Sequence, residues 1–254
     1  AQVLEIKAKT HESSSAILDK EGKEIVNLET LRQEWAKFYG DHDLEDLANN
    51  LPESIKLSSE ALAKLREAAE QGFDQAVLLP SPELQNTKLD ELINQMATQP
   101  VSGLEDADPN QYTVPYIATE AKSSIPQNRP AGKAYLLLYQ SNPIPEQTKG
   151  KTFADAEQEL NKLFGEGEWN GLTLQEYLIL QRREFEVRKD HSFDEFSNDA
   201  ERSQWTWLLD SRASSGCVSA RWFPGLRLVR LFWRGPGSSH PKLGARPAVV
   251  VEIL

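Results

Sequence analysis

Hydrophobic and polar positions follow two rhythms along the chain, one near three and a half residues and one of two residues. From Asn27, the run NLETLRQEWAKFYG sets Leu28, Leu31, Trp35 and Phe38 three or four residues apart, which is the apolar stripe of a helix. Asn27 can cap it and Gly40 can end it. SSEALAKLREAAEQGF predicts a second helix, capped by Ser58 or Ser59 and stopped at Gly72. AVLLP reads as a buried strand, and TKLDELINQMA as a helix with Leu89, Leu92, Ile93 and Met96 on one side. Short strands are expected in VLEIKAK and around residues 112–118. The second of these lies within a Pro-, Ser- and Asp-rich stretch, residues 99–132, that reads as loop or linker.

Beyond it, KAYLLLYQS reads as a strand. TFADAEQELNKLF predicts a helix capped by Thr152, with Phe153, Ala156, Leu160 and Leu163 inward. LTLQEYLILQRREFEVRKD predicts a longer helix with Leu174, Tyr177, Leu178, Gln181 and Phe185 on one face. WTWLL and PAVVVEIL read as strands, with Trp205 and Trp207 in one phase and at least one of them in the same core as the tryptophans that follow.

Between these two strands lie two runs that alternate strictly. Val218, Ala220 and Trp222 share one face, and Ser219, Arg221 and Phe223 the other. After Pro224-Gly225, Val229, Leu231 and Trp233 face one way, while Leu228, Arg230, Phe232 and Arg234 face the opposite way. The first face is scaffold, with Trp222 and Trp233 as core anchors. The second mixes arginine with aromatic and aliphatic residues, which is the composition of a recognition surface. The alternative is that this face packs beneath the amino-terminal region.

Composition adds limits. A chain of 254 residues can bury a substantial core, and a boundary near Arg129 is expected. It separates a mainly helical region with a loop-rich linker (1–130) from a carboxy-terminal domain (131–254). No apolar run is long enough to span a bilayer, and the first residues carry no basic-then-apolar signal pattern. Localisation stays open, surface display included. Cys217 is the only cysteine, which excludes an internal disulfide framework and a thiolate-rich zinc site. The four histidines are scattered, GLEDADPNQ has the spacing of no calcium loop, and neither metal nor cofactor is expected. Cys217 and His240 have no carboxylate nearby in sequence to orient a dyad, so no enzyme is expected. Arg246-Pro247 reads as a hinge, with Arg246 paired to a buried acceptor.

Net charge is −11, which argues against general nucleic-acid binding. Yet residues 211–251 contain no acidic side chain and carry Arg212, Arg221, Arg227, Arg230, Arg234, Lys242 and Arg246. An acidic body has a basic end.

The order after residue 130 is strand, helix, helix, short strands, final strand, and it resembles the C-type lectin fold of the formylglycine-generating-enzyme-like type. The class expected is thus α+β, with KAYLLLYQS pairing with AVVVEIL. GLTLQEYLILQRREFEVRKDH, WTWLL, the SG, RWFPG and paired-strand residues that follow, and ARPAVVV together resemble the variable proteins encoded by diversity-generating retroelements. The similarity is to their cellular branch, found in archaea and in bacteria with very small genomes. AKFYG, LPESIKL and GFDQAVLLP extend it upstream, so that it covers most of residues 35–254 and is strongest after Gly171.

That resemblance implies a ligand-binding protein. Error-prone copying of a template repeat at adenines diversifies a hypervariable region near the end of the gene, and a stable lectin-like scaffold displays the result. Adenine mutagenesis of AAC or AAT codons never yields Trp, Lys, Met, Gln or Glu. On the paired runs, Ser219, Arg221, Phe223, Leu228, Arg230, Phe232 and Arg234 all belong to permitted types, whereas Trp222 and Trp233 do not and fall on the inward face. Loop positions Arg212, Ser214, Cys217, Gly225 and Leu226 are also permitted, as are Gly235, Gly237, Ser238, Ser239 and His240; Lys242 is not. The implied variable ligand-binding set comprises these permitted strand and loop residues other than Gly237. The implied partner is a protein or cell-surface ligand of unspecified identity, and the oligomeric state is left open. Trp169-Asn170 is followed by Gly171 and not by the aspartate of a sugar-binding lectin's calcium motif. Two alternatives remain: a nucleic-acid-binding module using the basic end, and an enzyme of the formylglycine-generating type.

Overall fold

The computed structural model describes residues 16–18, 21–93, 125–141, 144–188, 204–223 and 228–254. They form a mixed α+β architecture with three β-sheets. β1 (Ala16–Leu18) and β2 (Glu24–Asn27) make a small antiparallel hairpin that the hydrophobic pattern does not predict. Asn27 then caps α1 (Leu28–Asp41), its Oδ1 accepting from the Thr30 amide at 3.1 Å. The predicted stripe of Leu28, Leu31, Trp35 and Phe38 is buried, together with Tyr39. α2 (Glu45–Asn49) is short. Ser58 caps α3 (Ser59–Glu70), accepting from the Ala61 amide at 3.0 Å, and the chain leaves through Gly72 in a left-handed conformation.

β3 (Gln75–Leu79) follows, then α4 (Pro82–Thr87) and α5 (Leu89–Leu92). The TKLDELINQMA pattern is thus split at Lys88, though Leu89, Leu92 and Ile93 are all buried. Met96 and the strands expected in VLEIKAK and around residues 112–118 lie outside the described residues.

The second sheet is built on β4 (Tyr135–Tyr139), every residue of which is buried. It pairs antiparallel with β9 (Ala248–Glu252), as KAYLLLYQS and AVVVEIL suggest, with Leu137 opposite Val250. On its other side it pairs antiparallel with β3, so Val77 also lies opposite Leu137. One core runs from Val26 through Leu137 to Val251. Residues on both sides of the boundary expected near Arg129 therefore share a sheet and a core, because β4 is completed by a strand from the amino-terminal region. Arg246, ahead of β9, is buried and donates from Nη1 to the Gln140 carbonyl at 2.7 Å.

Thr152 caps α6 (Phe153–Phe164), accepting from the Asp155 amide at 3.2 Å. Ala156 and Leu160 are buried, but Leu163, predicted inward, is exposed. Phe164 takes the apolar contact instead, its ring 5.3 Å from that of Phe73. α7 (Leu174–Arg188) is buried on more than the one predicted side: Ile179 and Leu180 are buried as well as Leu174, Tyr177, Leu178 and Gln181. A helix enclosed on most sides keeps only a weak amphipathic signature.

The third sheet has the order β7-β6-β5-β8, from β5 (Trp205–Ala213), β6 (Gly216–Phe223), β7 (Leu228–Arg234) and β8 (Leu243–Ala245). β5 and β8 are parallel and the other pairs antiparallel. A register shift in β5 between Leu208 and Arg212 frees Leu209, Asp210 and Ser211 from the ladder. It turns Ser211 Oγ to the Leu174 amide, 2.7 Å away, and Asp210 to Arg129, 3.0 Å away. Gly171 packs so closely here that a Cβ would lie 2.6 Å from that of Leu209.

Arg129 ties these parts together. It is buried, holds Glu176 through two bonds of 2.7 and 2.8 Å, and donates to the Gly171 carbonyl at 2.8 Å. Tyr135 donates to Glu176 at 2.6 Å, and the Gln85 amide donates to the Tyr135 hydroxyl at 3.1 Å. Four segments meet on one ion pair.

Candidate functional site

The register of the third sheet fixes which side chains share a face. Trp207, Ser219 and Phe232 lie in one row, and Arg221 stands opposite Arg230. The inner face carries Val218, Ala220, Trp222, Val229 and Leu231 into the main core, with Trp233 packed against it. That is the predicted scaffold.

The outer face divides into two zones. At one end, α6 covers it, packing over β5 and the neighbouring β8. Trp205, Trp207, Leu209 and Cys217 form a second core with Ala156, Leu160, Trp169, Leu243 and Ala245. Trp207 has no exposed surface, and its Nε1 donates to the Lys151 carbonyl at 3.1 Å. The two β5 tryptophans therefore pack on the sheet face opposite Trp222 and Trp233, not in the same core. What covers part of this face is a helix of the carboxy-terminal half.

Two predicted variable positions are consequently enclosed. Cys217 is fully buried, its Sγ 3.2 Å from the Leu208 carbonyl, and burial pushes its thiol pKa far up. A thiol in that state is a small core residue and not a nucleophile at neutral pH. Ser219 is also fully buried, because Trp207 and Phe232 flank it across the ladder. Its hydroxyl donates to the Phe232 carbonyl at 3.4 Å and accepts from Arg234 Nε at 2.8 Å. Period-two alternation assigns both residues to the outer face correctly; it carries no information on what covers that face.

The second zone is a cluster of aromatic rings and guanidinium groups. Arg221 and Arg234 both lie over the Trp205 ring, 4.6 and 4.7 Å from its centroid. The Phe232 ring meets Trp205 edge-on at 5.3 Å, and Arg234 lies 5.6 Å from the Phe232 centroid. Arg221, Arg230 and Arg234 are half-buried, and Phe232 is 38% exposed. Burial lowers the Arg234 pKa from its ordinary value, which marks a guanidinium taken partly out of water. Trp205 is the member that sequence reasoning assigned to the core alone. Its shared phase with Trp207 is the only signal that it underlies this face.

The remaining predicted positions surround this cluster. Arg212 is exposed and holds Glu157 with two bonds of 2.9 Å, and that contact raises its pKa. Ser214, Gly235, Gly237, Ser239 and His240 are exposed and Ser238 half-buried. The His240 Nδ1 accepts from the Lys242 amide at 3.1 Å. Gly225, Leu226 and Arg227 lie outside the described residues, as do the side chains of Phe223 and Leu228, whose backbones pair across the strands. Gly216 lies beneath β7, where a Cβ would come within 2.2 Å of the Arg234 carbonyl oxygen and 2.9 Å of the Trp233 ring. Small size at that turn lets β7 close onto β6.

Asn170 has a structural task. Its backbone bridges Ala248 and its Oδ1 accepts from the Val250 amide at 2.9 Å, which fixes the loop to β9. Among the described residues no group of three or more His, Cys, Asp and Glu side chains is arranged to hold a metal ion, and no helix is long and apolar enough to cross a membrane. No family model, curated protein or solved structure matches this chain. The class it falls into is that of a mixed α+β protein with a half-open arginine–aromatic sheet face.

Proposed function

We propose that this chain is a ligand-binding protein of the diversity-generating retroelement type, with a C-type-lectin-like scaffold that displays replaceable side chains on the outer face of β6 and β7. The observation that carries the proposal is how residue type divides between the two faces. Arg230, Phe232 and Arg234, of types that adenine mutagenesis can produce, project outward. Trp222 and Trp233, of a type it cannot produce, turn toward the core. The pairing of β4 with β9 agrees with a lectin-like closure of the carboxy-terminal part. A scaffold held by Arg129, Glu176 and two packed cores can keep its backbone while edge-strand side chains change. Binding without catalysis suits the buried, protonated Cys217.

The gene itself provides the test. A reverse-transcriptase gene is expected nearby, with a near-identical repeat of the segment encoding residues 212–240 that differs from it chiefly where the repeat has adenines. Arg230, Phe232 and Arg234 should align with adenine-containing codons, and Trp222 and Trp233 with unchanged TGG. Absence of the repeat, or differences spread evenly over all four bases, would contradict the proposal.

A further inference from the structure

We infer that Ser219 is a positioning residue of this face: too deep to touch a ligand, its hydroxyl decides whether Arg234 lies against Trp205 or stands out in solvent. The inference rests on the ligand-binding reading above and gives one member of the implied variable set an indirect role.

Ser219 has no exposed surface and stands between Trp207 and Phe232 across the ladder. A hydroxyl has one proton to give and lone pairs to receive with. The proton goes to the Phe232 carbonyl at 3.4 Å, and the oxygen accepts from Arg234 Nε at 2.8 Å. That bond holds the guanidinium over Trp205, 4.7 Å from the ring centroid, and 5.6 Å from that of Phe232. Among the described residues no carboxylate pairs with Arg234, and burial lowers its pKa. The Ser219 hydroxyl is thus the polar anchor of a half-buried cation.

Without that hydroxyl, Nε loses its acceptor in a place partly closed to water. An unpaired buried donor is costly, and a long arginine side chain has an alternative, which is to turn its head out to solvent. Arg234 then leaves the Trp205 and Phe232 rings, and this part of the face changes from guanidinium over aromatic to bare aromatic. Space restricts the choice of residue as well, because only a small side chain fits between Trp207 and Phe232. The small types that adenine mutagenesis permits either carry a hydroxyl, as serine and threonine do, or lack one, as alanine and glycine do. A change at a position no ligand reaches therefore switches between two surfaces.

The test uses the whole chain, isotopically labelled for NMR. The Nε–H signal of Arg234, identified by its loss in Arg234→Gln, should exchange slowly with water in the parent. Ser219→Ala should speed that exchange about tenfold, as loss of one charge-assisted hydrogen bond does. Ser219→Thr, which keeps the hydroxyl, should restore slow exchange. Binding gives a second readout. Clones from a random-peptide phage library are selected on the parent, and those weakened by Arg234→Gln serve as probes. Ser219→Ala should weaken the same clones, spare the others, and add little to Arg234→Gln in the double variant. A serine that merely packs the sheet would affect both groups of clones or neither. If the added methyl keeps Ser219→Thr from folding, the double variant decides alone. The inference is overturned by unchanged Nε–H exchange in Ser219→Ala, by fast exchange in a folded Ser219→Thr chain, by additive losses in the double variant, or by the absence of any clone that depends on Arg234. Any of these alongside an adenine-directed template repeat removes the positioning role and leaves the display reading standing. Absence of the repeat removes the display reading whatever Arg234 does.

Discussion

Arg129→Ala should lower the free energy of unfolding by about 3–5 kcal/mol at neutral pH, the usual loss when one partner of a buried ion pair is removed. The cause is what stays behind. Glu176 is fully buried, and burial alone would raise its pKa. The Arg129 guanidinium, its hydrogen bonds, the Tyr135 hydroxyl and the Thr173 amide together outweigh burial and hold the carboxyl below its ordinary range. Because the folded pKa lies below the unfolded one, Glu176 contributes stability in full above the unfolded value of about 4.3, and loses it as pH falls through the folded value. Asp210 has the opposite sign. Burial, only partly offset by Arg129, raises its pKa, so its protonation favours the folded state as pH falls.

Without Arg129 both carboxyls follow the second rule. The variant's deficit should therefore narrow between pH 7 and pH 5, as the buried carboxyls take up protons. Urea unfolding of the parent and variant at the two pH values measures this. A deficit under about 1 kcal/mol, or one that does not shrink on acidification, would show that the pair does not hold these segments together.

Trp207→Ala should cost a similar amount, about 3–5 kcal/mol, through the cavity it leaves between β5, α6 and β8. The side chain has no exposed surface, stacks edge-on with Phe153 at 5.9 Å, and loses its bond to the Lys151 carbonyl when truncated. Phe232→Ala, in the same row of the sheet, should cost much less, about 1 kcal/mol, because its ring is more than a third exposed and what it loses is chiefly the edge-on contact with Trp205. The two substitutions compared by chemical denaturation locate the division of the outer face. Equal losses would mean that Phe232 belongs to the second core and that the face has no replaceable zone.

Much of the framework is legible in the sequence because the elements carry their own signals. Asn27, Ser58 and Thr152 announce helix starts by side-chain chemistry that needs no partner from elsewhere in the chain. Among the described side chains, strict alternation in residues 218–222 and 229–234 assigns the faces of β6 and β7 correctly. Other features depend on distant segments. The third strand of the β4 sheet comes from residues 75–79, and nothing local marks Val77 as a neighbour of Leu137. Leu163 fits a helical stripe as well as Phe164 does, and only the position of Phe73 decides between them.

The candidate site shows the same limit. Cys217 and Ser219 alternate with Val218 and Ala220 just as Phe232 and Arg234 alternate with Leu231 and Trp233, and all four occupy the outer face. Their difference is a tertiary one: Cys217 lies in the second core with residues of α6 and Ser219 stands beside Trp207, whereas β7 is the sheet's edge strand. The outward cluster that the proposed reading would treat as replaceable is therefore smaller than alternation implies, with Trp205 as its floor and Arg221, Arg230, Phe232 and Arg234 around it.

The most direct measurement is thermal unfolding of a library in which Arg230, Phe232 and Arg234 are replaced together by the residue types that adenine mutagenesis permits. If these side chains are cargo on an independent scaffold, most members should stay folded and unfold within about 5 °C of the parent, since substitutions at one exposed and two half-buried positions then sum to about 1–2 kcal/mol. If most members are unfolded, or melt well below that range, the arginine–aromatic cluster is part of what holds the sheet together, and the display account is wrong.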